Sequence, residues 1–109
     1  MDDDLRIERL EPEKGFRLGG AIDMVSVKGL REALDPELHG TVVLDLAAVD
    51  YVDDDGLGLL VWAIKRLRLE DGSLILRNPQ GPIRRALEMT GLSKVPGLTV
   101  EPASGDPTD

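Results

Sequence analysis

Asp50, Asp53, Asp54 and Asp55 bring four carboxylates close together, immediately ahead of Gly56-Leu57-Gly58. Three kinds of chemistry are open to such a cluster. Oxygen ligands can hold a hard cation such as Mg²⁺ or Ca²⁺. An acidic surface can meet cationic side chains of another protein. The amide N–H groups at a helix start can also receive a carboxylate of the chain itself. Asp55 is expected at the N-cap, and Gly56 and Gly58 let another surface approach the backbone closely. An aspartate cap and a glycine pair also suit a tight strand-to-helix turn that has no function. Like charges this close cost free energy in the folded state, however. Stability alone does not favour the cluster, so function or solvent exposure must account for it.

Other chemistries fall away on residue counts. The 109 residues contain no cysteine and one histidine, His39. A thiolate nucleophile, a disulfide framework and a multi-histidine metal site are thereby excluded. Aspartate-based phosphotransferases and hydrolases place acids after a strand too, but require a threonine in Asp-x-Asp-x-Thr. No threonine follows Asp53 here. No catalytic residue, metal or cofactor is expected.

The elements that must position the loop follow from periodicity. Leu5, Ile7 and Leu10 alternate with charged residues, as in a half-buried strand. Pro12 to Gly15 supply a turn, Phe16-Arg17-Leu18 close a hairpin, and Gly19-Gly20 are expected to end it. Asp23 is expected to cap a helix with Val27, Leu30, Leu34 and Leu38 at helical spacing, closed by His39-Gly40. His39 is read as a polar group in that last turn, where a cation suits the helix dipole. Thr41 to Leu46 form an apolar, β-branched run that suits a central strand buried on both faces. The acidic stretch is expected to be loop, and Gly56-Leu57-Gly58 to open a helix with Leu57, Leu60, Val61, Ile64 and Leu67 inward. Lys65, Arg66 and Arg68 complement the dipole at its end. Ser73 to Leu76 form another buried strand. A third helix starts at Asn78-Pro79 and ends at Gly91, with Ile83, Ala86, Leu87 and Thr90 inward. Leu98 to Val100 form an edge strand. Trp62, the single tryptophan, stands on the helix next to the loop, where it could anchor a partner, but filling the core is the role expected of it.

This order predicts an α/β fold: a mixed sheet with a hairpin start and right-handed crossover helices. Residues 1–101 make one domain. Residues 102–109, rich in Pro, Ser, Gly and Asp, are expected to be a disordered tail. The net charge of -8 repels nucleic acid and anionic membranes. No basic-then-apolar leader opens the sequence and no apolar run reaches membrane-spanning length, so a cytoplasmic protein without membrane insertion is expected.

Val52-Asp53-Asp54-Asp55-Gly56-Leu57-Gly58 resembles the Asp-Ser-Ser/Thr-Gly-Leu-Gly signature of the STAS-domain anti-sigma factor antagonists. Gly20-Ala21-Ile22-Asp23 resembles the family's Gly-Glu-Leu-Asp. Arg84 to Leu92 are similar to its third helix running into Gly-Leu. The resemblance implies the STAS fold and a regulator that binds a serine-kinase-type anti-sigma factor without being an enzyme. The kinase phosphorylates the second hydroxyl residue of the signature, and that modification ends binding. Asp55 occupies this phosphoacceptor position, and Asp54 replaces the other hydroxyl. The resemblance thus implies a partner-binding face at Asp23, Asp53, Asp54, Asp55, Gly56, Leu57 and Gly58 that acts independently of Ser/Thr phosphorylation. A STAS subunit of another assembly, such as a stress-signalling scaffold or a lipid-transport complex, is the alternative.

Overall fold

A computed structural model describes residues 5–101. The expected tail, 102–109, lies outside the described residues. The hairpin forms from β1 (Arg6–Arg9) and β2 (Gly15–Ile22), paired antiparallel. Then follow α1 (Val27–Leu34), β3 (Thr41–Val52), α2 (Asp54–Arg68), β4 (Ser73–Arg77), α3 (Gly81–Met89) and β5 (Leu98–Glu101). The five strands stand in sequence order in one sheet. From β2 onward the pairings are parallel. The mixed α/β sheet with a hairpin start is therefore present.

Each crossover steps one strand in the same direction. The right-handed rule therefore puts α1, α2 and α3 on one face of the sheet. Under them lies a core of Leu, Ile and Val with Phe16 and Ala63. Leu44, Leu46, Leu74 and Leu76 of the central strands are fully buried there, against Leu60, Ile64 and Leu67 of α2. Across the opposite face, register partners form a row of alternating charge: Glu8, Arg17, Asp45, Arg77 and Glu101. Arg17 pairs with Asp45 at 3.6 Å and Arg77 with Glu101 at 2.9 Å. Cross-strand neighbours of opposite sign stabilise a sheet face that no crossover covers.

Several boundaries differ from the sequence expectation. Gly19-Gly20 do not end β2. They sit where its register to β3 shifts, and the strand runs on to Ile22. Gly20 has φ 108, and a Cβ on Gly19 would fall 2.4 Å from an Arg6 guanidinium nitrogen. The pair marks a bulge, which needs such freedom. The first helix stops at Leu34, and Asp35–Glu37 continue as a 3-10 turn. Pro36 lacks an N–H and its ring would meet the carbonyl one turn back. His39 thus lies beyond the helix. Its ring Nδ1 is 2.9 Å from the Lys14 Nζ, so it faces the hairpin turn and not the helix end. The third helix begins at Gly81 with Pro82 in its first turn, later than Asn78-Pro79, because Asn78 adopts φ 59. Its inward face is Ile83 and Leu87, with Ala86 half-buried and Thr90 exposed. On α2, Leu59 and Ala63 are buried, whereas Leu57 and Val61 are only partly so.

Candidate functional site

The carboxyl ends of β2 and β3 lie side by side, with Ile22 in register with Val52. Function in open α/β sheets gathers beyond such strand ends. Here the chain leaves β2 into a turn at Asp23 and leaves β3 directly into α2. The acidic stretch is accordingly shorter as a loop than expected. Asp50, Tyr51 and Val52 belong to β3, because β2 remains paired with that strand as far as Ile22. Asp50 is an exposed strand residue set apart from the helix start.

Among the three remaining aspartates, the fold divides the work. Asp53 is the N-cap of α2, and not Asp55. Its Oδ1 accepts from the Gly56 N–H at 2.9 Å, and its Oδ2 accepts from the Met24 N–H at 3.1 Å. The Asp53 N–H donates to the Ile22 carbonyl at 3.1 Å. One carboxylate thus closes the helix start and ties it to the β2–α1 turn. Any of three consecutive aspartates could cap a helix. Asp53 does so because its extended backbone, φ -99 and ψ -171, is that of a cap residue, while Asp54 and Asp55 already lie in the first turn.

Asp23 serves its own turn. Its Oδ1 accepts from Val25 N–H at 3.0 Å and Ser26 N–H at 3.1 Å. It organises the segment ahead of α1 and not the first residue of the helix, which starts at Val27. Ser26 Oγ returns to the Ala21 carbonyl at 2.8 Å. The structure therefore brings Asp23 and Asp53 to the same end of the sheet, both engaged with backbone amides.

Asp54 and Asp55 are exposed. Among the described residues, neither carboxylate accepts a hydrogen bond or pairs with a cation. They complement the dipole at the N-terminus of α2. Among the described residues, no three Asp, Glu or His side chains converge so as to hold a metal ion.

The two glycines differ in kind. A Cβ on Gly56 would fall 2.4 Å from the Ile22 carbonyl oxygen and 2.8 Å from a Val52 methyl. Gly56 is buried and lets α2 seat against the strand ends, so it does not open the backbone to a second surface. Gly58 is exposed inside the helix, and a Cβ there would meet nothing within 4 Å. A glycine in a helix interior costs about 0.5–1 kcal/mol relative to alanine. Leu57 turns partly toward the core.

Beside these residues, α1 and α2 flank an open groove of about 380 Å³ that includes Asp54, Asp55 and Gly58 on one wall. Lys28 and Arg31 stand on the other, with Trp62 further along α2. Trp62 is half-buried and does not simply fill the core. Arg31 lies 4.5 Å and Arg66 5.5 Å from its ring centroid, cation–π contacts that hold the indole in the groove. Arg66 is itself fixed by Asp35 at 2.7 Å. Met24 and Val25, 71% and 77% exposed, add an apolar knob beside Asp53. The sequence marks Lys28 and Arg31 only as the outward face of the first helix and assigns neither them nor Met24 and Val25 to the site. The one available signal was an apolar pair, Met24-Val25, between a strand end and a helix start.

Known proteins are similar to this chain in sequence and fold. The STAS domain family matches residues 5–106. The anti-sigma-B factor antagonist of Staphylococcus aureus (strain NCTC 8325 / PS 47) is 36% identical over 93 residues, covering 81% of this chain and 86% of that protein. The anti-sigma-B factor antagonist of Bacillus subtilis (strain 168) is 29% identical over 107 residues, covering 96% and 98%. The crystal structure of an anti-sigma factor antagonist from Mycobacterium paratuberculosis superposes with a TM-score of 0.73 at 27% identity, over 94% of this chain and 87% of that one. By sequence and fold together, the chain belongs to the STAS domain family, as a member resembling the anti-sigma factor antagonists.

Proposed function

We propose that this chain is a phosphorylation-independent antagonist that binds an anti-sigma factor of the serine-kinase type through the acidic end of its sheet. It acts as a ligand and not as a catalyst. One observation carries the reading: Asp55, which the motif resemblance aligns with the family's phosphoacceptor hydroxyl, is exposed and has no hydrogen-bond partner among the described residues. The fold makes no use of it that Asp53 does not already supply.

A carboxylate holds one negative charge, against about −1.5 to −2 for a phosphoserine at neutral pH. Asp55 therefore gives the loop a permanent charge of partial phosphate character that no kinase sets and no phosphatase removes. Were that charge only repulsive, the chain would be locked away from its partner. A partner that presents a basic side chain to Asp54 and Asp55 is the more economical match. The net charge of -8 favours the same pairing by steering a cationic surface toward the chain.

Incubation with the purified anti-sigma kinase and ATP, followed by intact mass measurement, tests the reading. The expected result is an unchanged mass for the wild type and one added phosphate on Asp55→Ser. A stoichiometric phosphate mapped between Asp50 and Gly58 of the wild type overturns it.

A further inference from the structure

We infer that the groove between α1 and α2 receives a helix of the partner protein that carries a basic side chain at one end of its contact face and an acidic one about two turns away. The inference rests on the proposed function and names the chemistry of what the partner inserts.

The groove is polar in a definite direction. Asp54 and Asp55 stand at one end. Arg31, stacked over Trp62, stands at the other, and Lys28 lies one turn before Arg31 on α1, on the wall opposite Asp54 and Asp55. Asp55 and Trp62 are seven positions apart on α2, about 10 Å along the helix axis. Two charges of opposite sign on one helix face, about two turns apart, match that separation. Among the described residues, neither Lys28 nor Arg31 has a carboxylate partner, and the Trp62 indole N–H donates no hydrogen bond. Both ends of the groove are therefore open to pairing, and their signs fix the direction in which a partner helix lies.

Gly58 supplies an independent argument. It sits in the acidic wall, at an interior helix position where glycine is unfavourable. No atom of the described residues requires it, since a Cβ there meets open space. Gly56, two residues earlier, is required by the Ile22 carbonyl. What the missing side chain at Gly58 preserves is the depth of the groove. A helix laid into a groove approaches most closely where the wall has no side chain.

The test measures binding of the purified serine-kinase-type anti-sigma factor to wild type, Gly58→Ala, Gly58→Leu and Arg31→Glu. Circular dichroism checks each fold, and Trp62 fluorescence reports occupancy of the groove. Alanine and leucine are good helix formers, so both Gly58 variants are expected to fold and to melt no lower than wild type. Affinity is expected to fall about 10-fold for Gly58→Ala and at least about 100-fold for Gly58→Leu, as for a blocked central contact. Arg31→Glu is expected to fall about 10-fold and to bind with a shallower salt dependence. A changed Trp62 emission on binding of the wild type supports the inference. Wild-type affinity in a folded Gly58→Leu overturns the groove and leaves the proposed function standing. No binding by the wild type overturns both. Quenching of Trp62 by ATP alone, with no change on addition of the partner, overturns the inference in favour of a nucleotide site.

Discussion

Replacing Asp53 with alanine removes two hydrogen bonds that sit at a junction of the fold. One is the N-cap bond to Gly56 N–H at 2.9 Å, and the other is the link to Met24 N–H at 3.1 Å. Loss of an aspartate N-cap costs about 1 kcal/mol. The bond to Met24 lies at an exposed amide that water can re-solvate, so its loss costs about 1 kcal/mol as well. The sum is about 2 kcal/mol. For a domain of this size that lowers Tm by about 8–16 °C. Asp55→Ala removes only an exposed charge near the helix start. The lost dipole interaction is offset by relief of repulsion from Asp53 and Asp54, and the net change stays within about 0.5 kcal/mol. Thermal and urea unfolding followed by circular dichroism separate the two. Asp53→Asn is the control, because asparagine caps as well as aspartate does. Equal losses for Asp53→Ala and Asp55→Ala would refute the division of the cluster into a structural and an available part. So would an Asp53→Asn variant as unstable as Asp53→Ala.

The glycines give a second contrast: Gly58→Ala raises Tm by a few degrees, since it restores about 0.5–1 kcal/mol of helix propensity in open space. Gly56→Ala lowers it in the same differential scan, because its methyl meets the Ile22 carbonyl. The open face of the sheet predicts an acid effect. Hydrogen bonding to Arg77, with the attraction of its charge, holds Glu13 below its ordinary value of 4.5, against a smaller opposing effect of burial. A depressed folded pKa contributes stability that is present above the unfolded value and lost as pH falls through the folded one. Glu13→Gln should therefore flatten the decline in stability below about pH 4.5, measured by urea midpoints across pH, and leave the slope near neutrality unchanged. At the Trp62 site, Arg31→Ala removes a cation from the ring and should shift the emission maximum of the single tryptophan, whereas Lys28→Ala should not.

What the sequence disclosed, and what it withheld, divides along a physical line. The apolar runs Val42 to Leu46 and Leu74 to Leu76 announced two central strands, but not burial on both faces: Leu44, Leu46, Leu74 and Leu76 lie under the helices, while Asp45 and Arg77 join the charged row on the open face. Gly91, with φ 81, ended the third helix as its residue type suggests. The errors lie where a distant segment decides. β3 runs past Leu46 through Asp50 to Val52 because β2 is there to pair with it. No local pattern announces a partner strand. Three successive aspartates made the cap ambiguous by two residues, and what distinguishes Asp53 is the extended backbone at the end of β3 together with the contact to Met24 in the β2–α1 turn. Gly56 and Gly58 look alike in sequence, yet one faces a carbonyl and the other faces solvent. Trp62 was expected in the core, whereas Arg31 and Arg66 hold it at the edge of a groove. Side-chain roles that depend on a neighbouring helix are written in two places in the chain at once.

Calorimetric titration of the anti-sigma factor with wild type and Asp55→Ser, each before and after incubation with ATP, bears most directly on the central claim. A partner that reads the acid should bind the wild type with the same affinity before and after ATP. Asp55→Ser should bind more weakly from the outset, by the roughly 2 kcal/mol of a lost charged contact, and recover affinity once phosphorylation returns negative charge to that position. Wild-type binding that is absent, or that disappears after ATP, would contradict the claim that Asp55 frees this chain from phosphorylation control.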